Sequence, residues 1–389
     1  MVPNKTILSL ALCTVATQLS ADNHRPNFLW LTFEDTSPIF IGCYGNKSAI
    51  TPVMDSLASD GIRYENAFSI GIVSSLSRFY LMTGCRPGRY GAGNHRSLYP
   101  VPEFIHGFSE YLRESGYYTN NNSNTDFNHR DHREMAKASW DDCSGKASWR
   151  DRKPGQPFFS FIFLFSDHGD GIPRGKGSAL GSGYQIPFIL WVPEMYEDLI
   201  PHDRDSVSDE LVSFKDFGAT VLHLAGVEIP AYNEGVPLLP QRGGKKPYIY
   251  GACDAVDSNT ELSRSVIDGQ YIYTRVFTPY QHWVRWISYY DHADIQKVMR
   301  RELDDHKLSA LQQEIMSPCA AEYLYDLKND KWETRNLADD HAYRKKIKEM
   351  RTALMKHLIQ TRDANFIPEY YLDRMSGTTT SSRPRKSSA

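Results

Sequence analysis

Asn27, Phe28, Leu29, Trp30, Leu31, Thr32 and Phe33 form one apolar run that ends on the carboxylates Glu34-Asp35. A run without polar alternation predicts a parallel strand buried on both faces rather than a one-sided strand. Parallel sheets need helical crossovers and collect their sites at the carboxyl ends of their strands. The acidic pair stands at that kind of strand end.

The crossovers follow. Thr51-Pro52 predicts a helix start, with Thr51 as N-cap, Pro52 at the first position, Met54, Leu57 and Ala58 as the apolar face and Gly61 as the stop. A strand is expected near 64–68, then a helix that begins after Val73 and ends at Gly84. A third helix covers 108–115 and stops at Gly116, and 117–120 returns as a strand. Strand and helix in alternation predict an α/β fold: a mainly parallel central sheet with helices on both faces. The apolar segments 158–165 and 187–191 read as further buried strands, and 213–225 as a helix ended by Gly226. Beyond Leu239 the Pro, Gly and Lys residues mark a boundary. The β-rich runs 265–267 and 270–273 flank Asp268-Gly269, a strong hairpin signal. With a strand at 322–327 and a closing helix at 342–360, residues 241–375 predict a small antiparallel α+β subdomain. The division is then 1–21, 22–240, 241–375 and a Ser/Thr/Arg/Lys-rich tail at 376–389 that composition predicts to be disordered.

Residues 1–21 read as a secretory signal: Lys5, an apolar run from Ile7 to Ala16, and small or polar residues to Ala21. The run is too short for a membrane span, and no later segment looks like one. The expected location is secreted or periplasmic, or lysosomal or extracellular in a eukaryote. A formal net charge of -3 without a long basic stripe argues against a nucleic-acid partner. Cys43, Cys85, Cys143, Cys253 and Cys319 are too scattered for a disulfide framework or a zinc site, though one or two bridges stay open. Asn46-Lys47-Ser48 and Asn121-Asn122-Ser123 match the glycosylation pattern.

Four features carry chemistry, and each has an ordinary alternative. Glu34-Asp35 offers oxygen ligands suited to calcium or magnesium, or else a helix cap or a solvated pair. Asp167-His168-Gly169, after the apolar run 158–165, suits a metal corner, or is a surface Asp-His. Ser74 and Arg78 lie four apart, on one face of a helical turn. A helix start favours a bound anion and Arg78 adds a fork of donors, although an ordinary capped helix fits as well.

Together these stretches resemble the sulfatase family, in the alkaline phosphatase superfamily, and are similar to bacterial sulfatases of the N-sulfoglucosamine sulfohydrolase type. The resemblance rests on Arg25-Pro26-Asn27 through Glu34-Asp35, Thr51-Pro52 through Ala58, and Ser77-Arg78 with Leu81-Met82-Thr83-Gly84. It continues through Tyr111-Leu112-Arg113 with Gly116-Tyr117-Tyr118, Pro154 to Phe159, Ser166-Asp167-His168-Gly169 with Pro173-Arg174-Gly175-Lys176, residues 213–226, and Leu324 to Leu327 with Asn336-Leu337. It implies an alkaline phosphatase-like fold and hydrolysis of sulfate esters or sulfamates, as in sulfated glycans. It further implies one calcium ion held by Glu34, Asp35, Asp167 and His168. Ser74 falls on the position of a formylglycine nucleophile made by a maturation enzyme, Arg78 on the arginine that supports it, and Lys176 near a lysine that binds sulfate.

The departures are specific. Glu34 stands where relatives carry Asp. Ser74 fits a serine-type maturation, but Leu76 occupies a Pro or Ala position. Asn124 stands where an active-site lysine is expected. The run 158–165 fuses two strands that relatives separate by a block carrying a catalytic His, so a central block near 164–165 is expected to be missing. Three functions stay open: a working sulfatase; a sulfatase fold that binds sulfated glycan without turnover; and a phosphohydrolase using unmodified Ser74. The last needs two metals and more ligands than the chain supplies, and ranks third.

Overall fold

A computed structural model describes residues 25–33, 36–163, 181–200, 202–239, 246–256, 261–284 and 294–375. The first half runs β1 (Phe28–Thr32), α1 (Pro52–Ser59), β2 (Ile62–Tyr64), β3 (Ala67–Phe68), α2 (Ser74–Thr83), α3 (Phe108–Glu114), β4 (Tyr118–Asn121), α4 (His132–Ser139), β5 (Asp142–Cys143) and β6 (Phe158–Phe163). Then follow α5 (Gly181–Tyr184), β7 (Phe188–Leu190), β8 (Ser206–Ser208), β9 (Val212–Ser213) and α6 (Phe214–Leu224). The rest consists of β10 (Ile249–Cys253), β11 (Ser263–Ile267), β12 (Tyr271–Val276), α7 (Asp294–Asp304), α8 (Ala310–Ile315), β13 (Glu322–Asp326), α9 (Arg344–Thr361) and α10 (Glu369–Met375).

Four strands form a parallel sheet in the order β1-β6-β4-β5. β6 therefore lies between β1 and β4, with Trp30 opposite Phe161 and Asn120 opposite Ser160. Its inward side chains make an aromatic cluster. Phe159 meets Trp30 edge-on at 5.0 Å, Phe108 of α3 at 5.1 Å and Trp140 in a stack at 5.6 Å. Such pairs add about 0.5–1.5 kcal/mol each beyond burial, so α3 is held to the sheet by the residue that opens it.

β1 is parallel as expected, but it is not buried on both faces. Leu29 and Leu31 are 46 % exposed, while Phe28 and Trp30 pack against the core. Successive strand residues point to opposite faces: Trp30 meets Phe108 of α3 and Phe217 of α6, while Leu29 and Leu31, on the other side of this edge strand, remain half exposed. β7 is corrected likewise: it is half-buried, pairs antiparallel with β2 (Ile62 opposite Leu190), and leaves Trp191 exposed. The strand expected at 64–68 is two short ones, β2 parallel to β8 and β3 parallel to β9.

The second sheet is antiparallel, in the order β10-β11-β12-β13. Its hairpin turns at Asp268-Gly269. Gly269 has φ +97°, and Asp268 Oδ1 accepts the N–H groups of Gln270 and Tyr271 at 3.0 and 2.7 Å. α9 covers one face, burying Ile347, Met350, Leu354 and Leu358 against Val266, Tyr273 and Leu324. The other face, with Ile249, Cys253, Ile267, Ile272 and Tyr325, joins the main core. A buried ion cluster ties the second sheet to the chain that follows α9. Arg264 Nε lies 2.6 Å from Asp363 Oδ2, and its Nη2 2.8 Å from Asp254 Oδ1.

All five cysteines described are free thiols. Among the described residues no helix is long and apolar enough to cross a membrane. Asn121 is no glycosylation acceptor in this fold: it is fully buried in β4, and its Nδ2 donates to the Asn124 carbonyl at 2.6 Å.

Candidate functional site

α2 is the element around which the candidate site is built. All ten of its residues are buried, including Ser74, Ser75, Ser77, Arg78 and Thr83. A helix carrying five polar side chains into the interior is stable only if those groups are hydrogen-bonded. Thr83 Oγ1 donates back to the Phe79 carbonyl at 2.7 Å, and Ser77 Oγ to the Gly71 carbonyl at 2.9 Å. Leu76, the departure at the third motif position, packs into the main core. Gly84 ends the helix in the left-handed conformation at φ +67°.

The approach to α2 is strained and braced. Ile70 has φ +61°, a region that a β-branched residue rarely enters and that costs about 1–3 kcal/mol. Its side chain is 1 % exposed, and its carbonyl accepts the N–H of Ala252 in β10 at 3.3 Å. Ser69 Oγ donates to the Gly71 carbonyl at 2.6 Å. Val73 then enters the helix in an extended conformation with no side-chain cap. Ser74 is the first helical residue. A helix start offers backbone N–H donors and the positive end of the dipole, the environment an oxyanion prefers.

The loop after β4 clasps this helix. Arg78 Nε donates to the Asp126 carbonyl at 2.9 Å, and its Nη2 lies 3.5 Å from Asp126 Oδ2. Ser75 Oγ donates to Asn128 Oδ1. The same oxygen accepts the Arg96 N–H at 2.6 Å, while Asn128 Nδ2 donates to the carbonyls of Ala92 and Asn94 at 2.8 and 2.9 Å. Asn128 has φ +57°, a conformation asparagine tolerates better than most residues. Asn94 Oδ1 in turn accepts the N–H of Ala255 at 3.2 Å, which extends the bracing to the residues after β10. Asn124 is set by Asn121, which holds both its backbone N–H and its carbonyl.

His129 closes the loop. It is 2 % exposed and edge-on to Phe79 at 6.0 Å. Its Nδ1 accepts the Asp131 N–H at 3.2 Å, so the proton sits on Nε2, a buried atom without a hydrogen-bond partner. Burial first, and His132 second, pull its pKa down to about 4. It is a neutral imidazole near neutral pH.

Of the expected site residues, the structure describes Ser74 and Arg78 and places them on consecutive turns of α2. Glu34, Asp35, Asp167, His168 and Lys176 lie outside the described residues. Among the described residues no group of three or more His, Cys, Asp or Glu side chains is placed to hold a metal. Sequence reasoning missed Asn128, Asp126 and His129. The available signal was the asparagine-rich stretch 120–128, unusual directly after a strand because asparagine favours turns and positive φ. The arrangement offers a helix start aimed by a strained approach, a hydroxyl at its first position, and a guanidinium fixed by the opposing loop.

The sulfatase family model matches residues 26–153 and 152–227. An ulvan-active sulfatase of Formosa agariphila is 25 % identical over 467 residues, covering 89 % of this chain and 76 % of the relative. That alignment is longer than the 389-residue chain itself, so the relative carries residues with no counterpart here. Among solved structures, a 2-O GAG sulfatase superposes with TM-score 0.61 at 16 % identity, covering 87 % of this chain and 93 % of the other. A second, solved in complex with its substrate D-glucosamine-2-N,6-O-disulfate, gives TM-score 0.60 at 14 % identity, covering 89 % and 99 %.

Proposed function

Because this chain belongs to the sulfatase family, we propose that it holds a sulfate ester or sulfamate of a sulfated glycan at the N-terminus of α2 and hydrolyses it slowly. The observation that carries the reading is the placement of Ser74 at the first position of a buried helix whose next turn is fixed through Arg78 to the Asp126 carbonyl. The sulfate group faces helix-start N–H donors there. Arg78 acts as a positioning residue that fixes the first turn of α2 against the loop. Glu34, Asp35, Asp167 and His168 are the residues that would hold a calcium ion, since three carboxylates and one imidazole are donor chemistry it accepts. A calcium ion held there would supply Lewis-acid polarisation of the sulfate and of the nucleophile beside it. Lys176 would add a cation for the sulfate oxygens. The parent activity of relatives named for sulfated glycans supports the substrate class.

Slow turnover follows from this chain's own residues. An unmodified Ser74 hydroxyl is a weak nucleophile without an adjacent base, and Leu76 is a poor fit to the motif read by maturation enzymes. Asn124 supplies no charge where the resemblance expects a lysine. The length of the alignment with the ulvan-active sulfatase supports a missing block, which in the resemblance carries a catalytic His. Acid–base assistance of that kind is worth about 10²–10⁴-fold.

The test is expression of the chain with calcium, with and without a serine-type maturation enzyme, followed by mass spectrometry of the peptide containing Ser74. Turnover is then read on an aryl sulfate and on N-sulfated glucosamine, and binding by calorimetry. Binding with weak turnover is the expected result. Turnover within about an order of magnitude of an intact relative would make the chain an ordinary sulfatase, since the groups invoked act as one unit. Failure to bind any sulfated sugar would remove the reading altogether.

A further inference from the structure

We propose that the outer face of α9 is a docking strip for a sulfated polysaccharide chain, separate from the start of α2; the choice of a sulfated glycan as occupant rests on the function proposed above. The chain as a whole carries a formal charge of -3 with its charges mixed. Among the described helices α9 is the most cationic. Between Arg344 and Thr361 it carries Arg344, Lys345, Lys346, Lys348, Arg351 and Lys356 against one carboxylate, Glu349.

The opposite face is fixed by Ile347, Met350, Leu354 and Leu358 in the core, so the outer face has one orientation. Two of its cations are engaged within the fold. Lys346 lies 3.1 Å from both Asp268 and Glu349, and Arg351 2.5 Å from Glu322. Arg344, Lys345, Lys348 and Lys356 are exposed and none makes a close ion pair among the described residues, although Lys345 adds to the positive charge around Glu349. Lys345, Lys348 and Lys356 share one side of the helix, and Lys345 and Lys356 are roughly 16 Å apart along its axis at 1.5 Å per residue. Arg344 and Lys348, at i and i+4, repel each other until an anion lies between them. Met355 (42 % exposed) and Ile359 (74 %) add an apolar edge to the cationic row.

The strip fits a long polyanion with regularly spaced charges. It does not fit a membrane surface, because only Met355 and Ile359 are exposed apolar residues on α9 and the apolar face proper is already in the core. It does not fit single-stranded nucleic acid, because no aromatic side chain of α9 faces outward for base stacking. Lysine ammonium groups on flexible stems suit sulfate groups of variable position.

The test uses the full chain on immobilised heparin at about 50 mM salt, where polyanion contacts are strong. Unsulfated dextran, double-stranded DNA and phosphatidylglycerol vesicles serve as comparison arms. The expected result is retention on heparin alone, with R344Q/K345Q/K348Q/K356Q weakening affinity by at least about tenfold and flattening its salt dependence. The variant's melting temperature should match the parent's, because the four side chains are exposed. If the variant binds heparin as the parent does, the proposal fails. It also fails if DNA or vesicles bind as tightly as heparin, which would make the strip a general polyanion or lipid surface. If N-sulfated glucosamine does not bind but heparin retention still depends on the four residues, the strip stands and the reading of the α2 site falls.

Discussion

Ser75 Oγ donates a 2.8 Å hydrogen bond to Asn128 Oδ1, joining the second residue of α2 to a loop 53 residues further along the chain. Asn128 is 1 % exposed and uses both ends of its amide. A buried amide with this many partners fixes the helix start and the loop relative to each other, and the position of Ser74 depends on it.

Asn128→Ala should therefore destabilise the protein by about 3 kcal/mol, since it leaves a buried hydroxyl, an N–H and two carbonyls short of a partner. Urea unfolding monitored by tryptophan fluorescence checks this. An unchanged midpoint with an unchanged slope would mean that water replaces the amide and that the clasp is not structural.

Arg78→Lys keeps the charge and loses the fork. Its single ammonium cannot reproduce the Nε contact to the Asp126 carbonyl together with the Nη2 contact to its carboxylate. Binding of a sulfated monosaccharide should weaken by about tenfold while the melting temperature falls only slightly. Equal losses of both would assign Arg78 a purely structural role.

Asn124→Lys restores a cation at a loop position whose backbone is already held by Asn121. Affinity for N-sulfated glucosamine should rise by about tenfold, the worth of one charge-assisted hydrogen bond. Calorimetry at two salt concentrations reads it, and a gain that does not shrink with salt would not be electrostatic.

His129 makes stability depend on acid. Its folded pKa is about 4, against 6.5 for an exposed imidazole, because burial disfavours the charged form. The neutral ring therefore contributes fully above pH 6.5, and that contribution is lost as pH falls from 6.5 to 4, where the unfolded chain binds the proton first. The loss attributable to this residue is on the order of 3 kcal/mol. Asp254 acts in the opposite sense, since burial raises its pKa to about 7 despite the Arg264 guanidinium. The measurement is thus the difference between the parent and His129→Asn across that range. Parallel stability curves would show that His129 titrates normally.

Arg264→Met removes the cation between Asp254 and Asp363 and leaves two carboxylates in the interior. A loss of about 3–5 kcal/mol is expected, as for other broken buried pairs. Adding Asp254→Asn should recover part of it. If the double variant is no more stable than the single one, the carboxylates are not the source of the loss.

The sequence by itself determined the α/β alternation, the hairpin at Asp268-Gly269, the end of α2 at Gly84 and the family. These rest on local signals: apolar period, turn residues and motif spacing, each read within a few residues. Ser74 and Arg78 were legible for the same reason, because one helical turn separates them. What covers each surface was not legible. The run 27–33 is apolar throughout, yet Leu29 and Leu31 stay exposed, because apolar pattern reports what a strand could bury and not which elements come to cover it. The clasp of Asn128 on Ser75, the bracing of strained Ile70 by Ala252, and the outward cationic face of α9 join residues that are distant in sequence or depend on which side of a helix meets the core. Only the packed chain decides those, because burial and hydrogen-bond partnership are properties of neighbours in space.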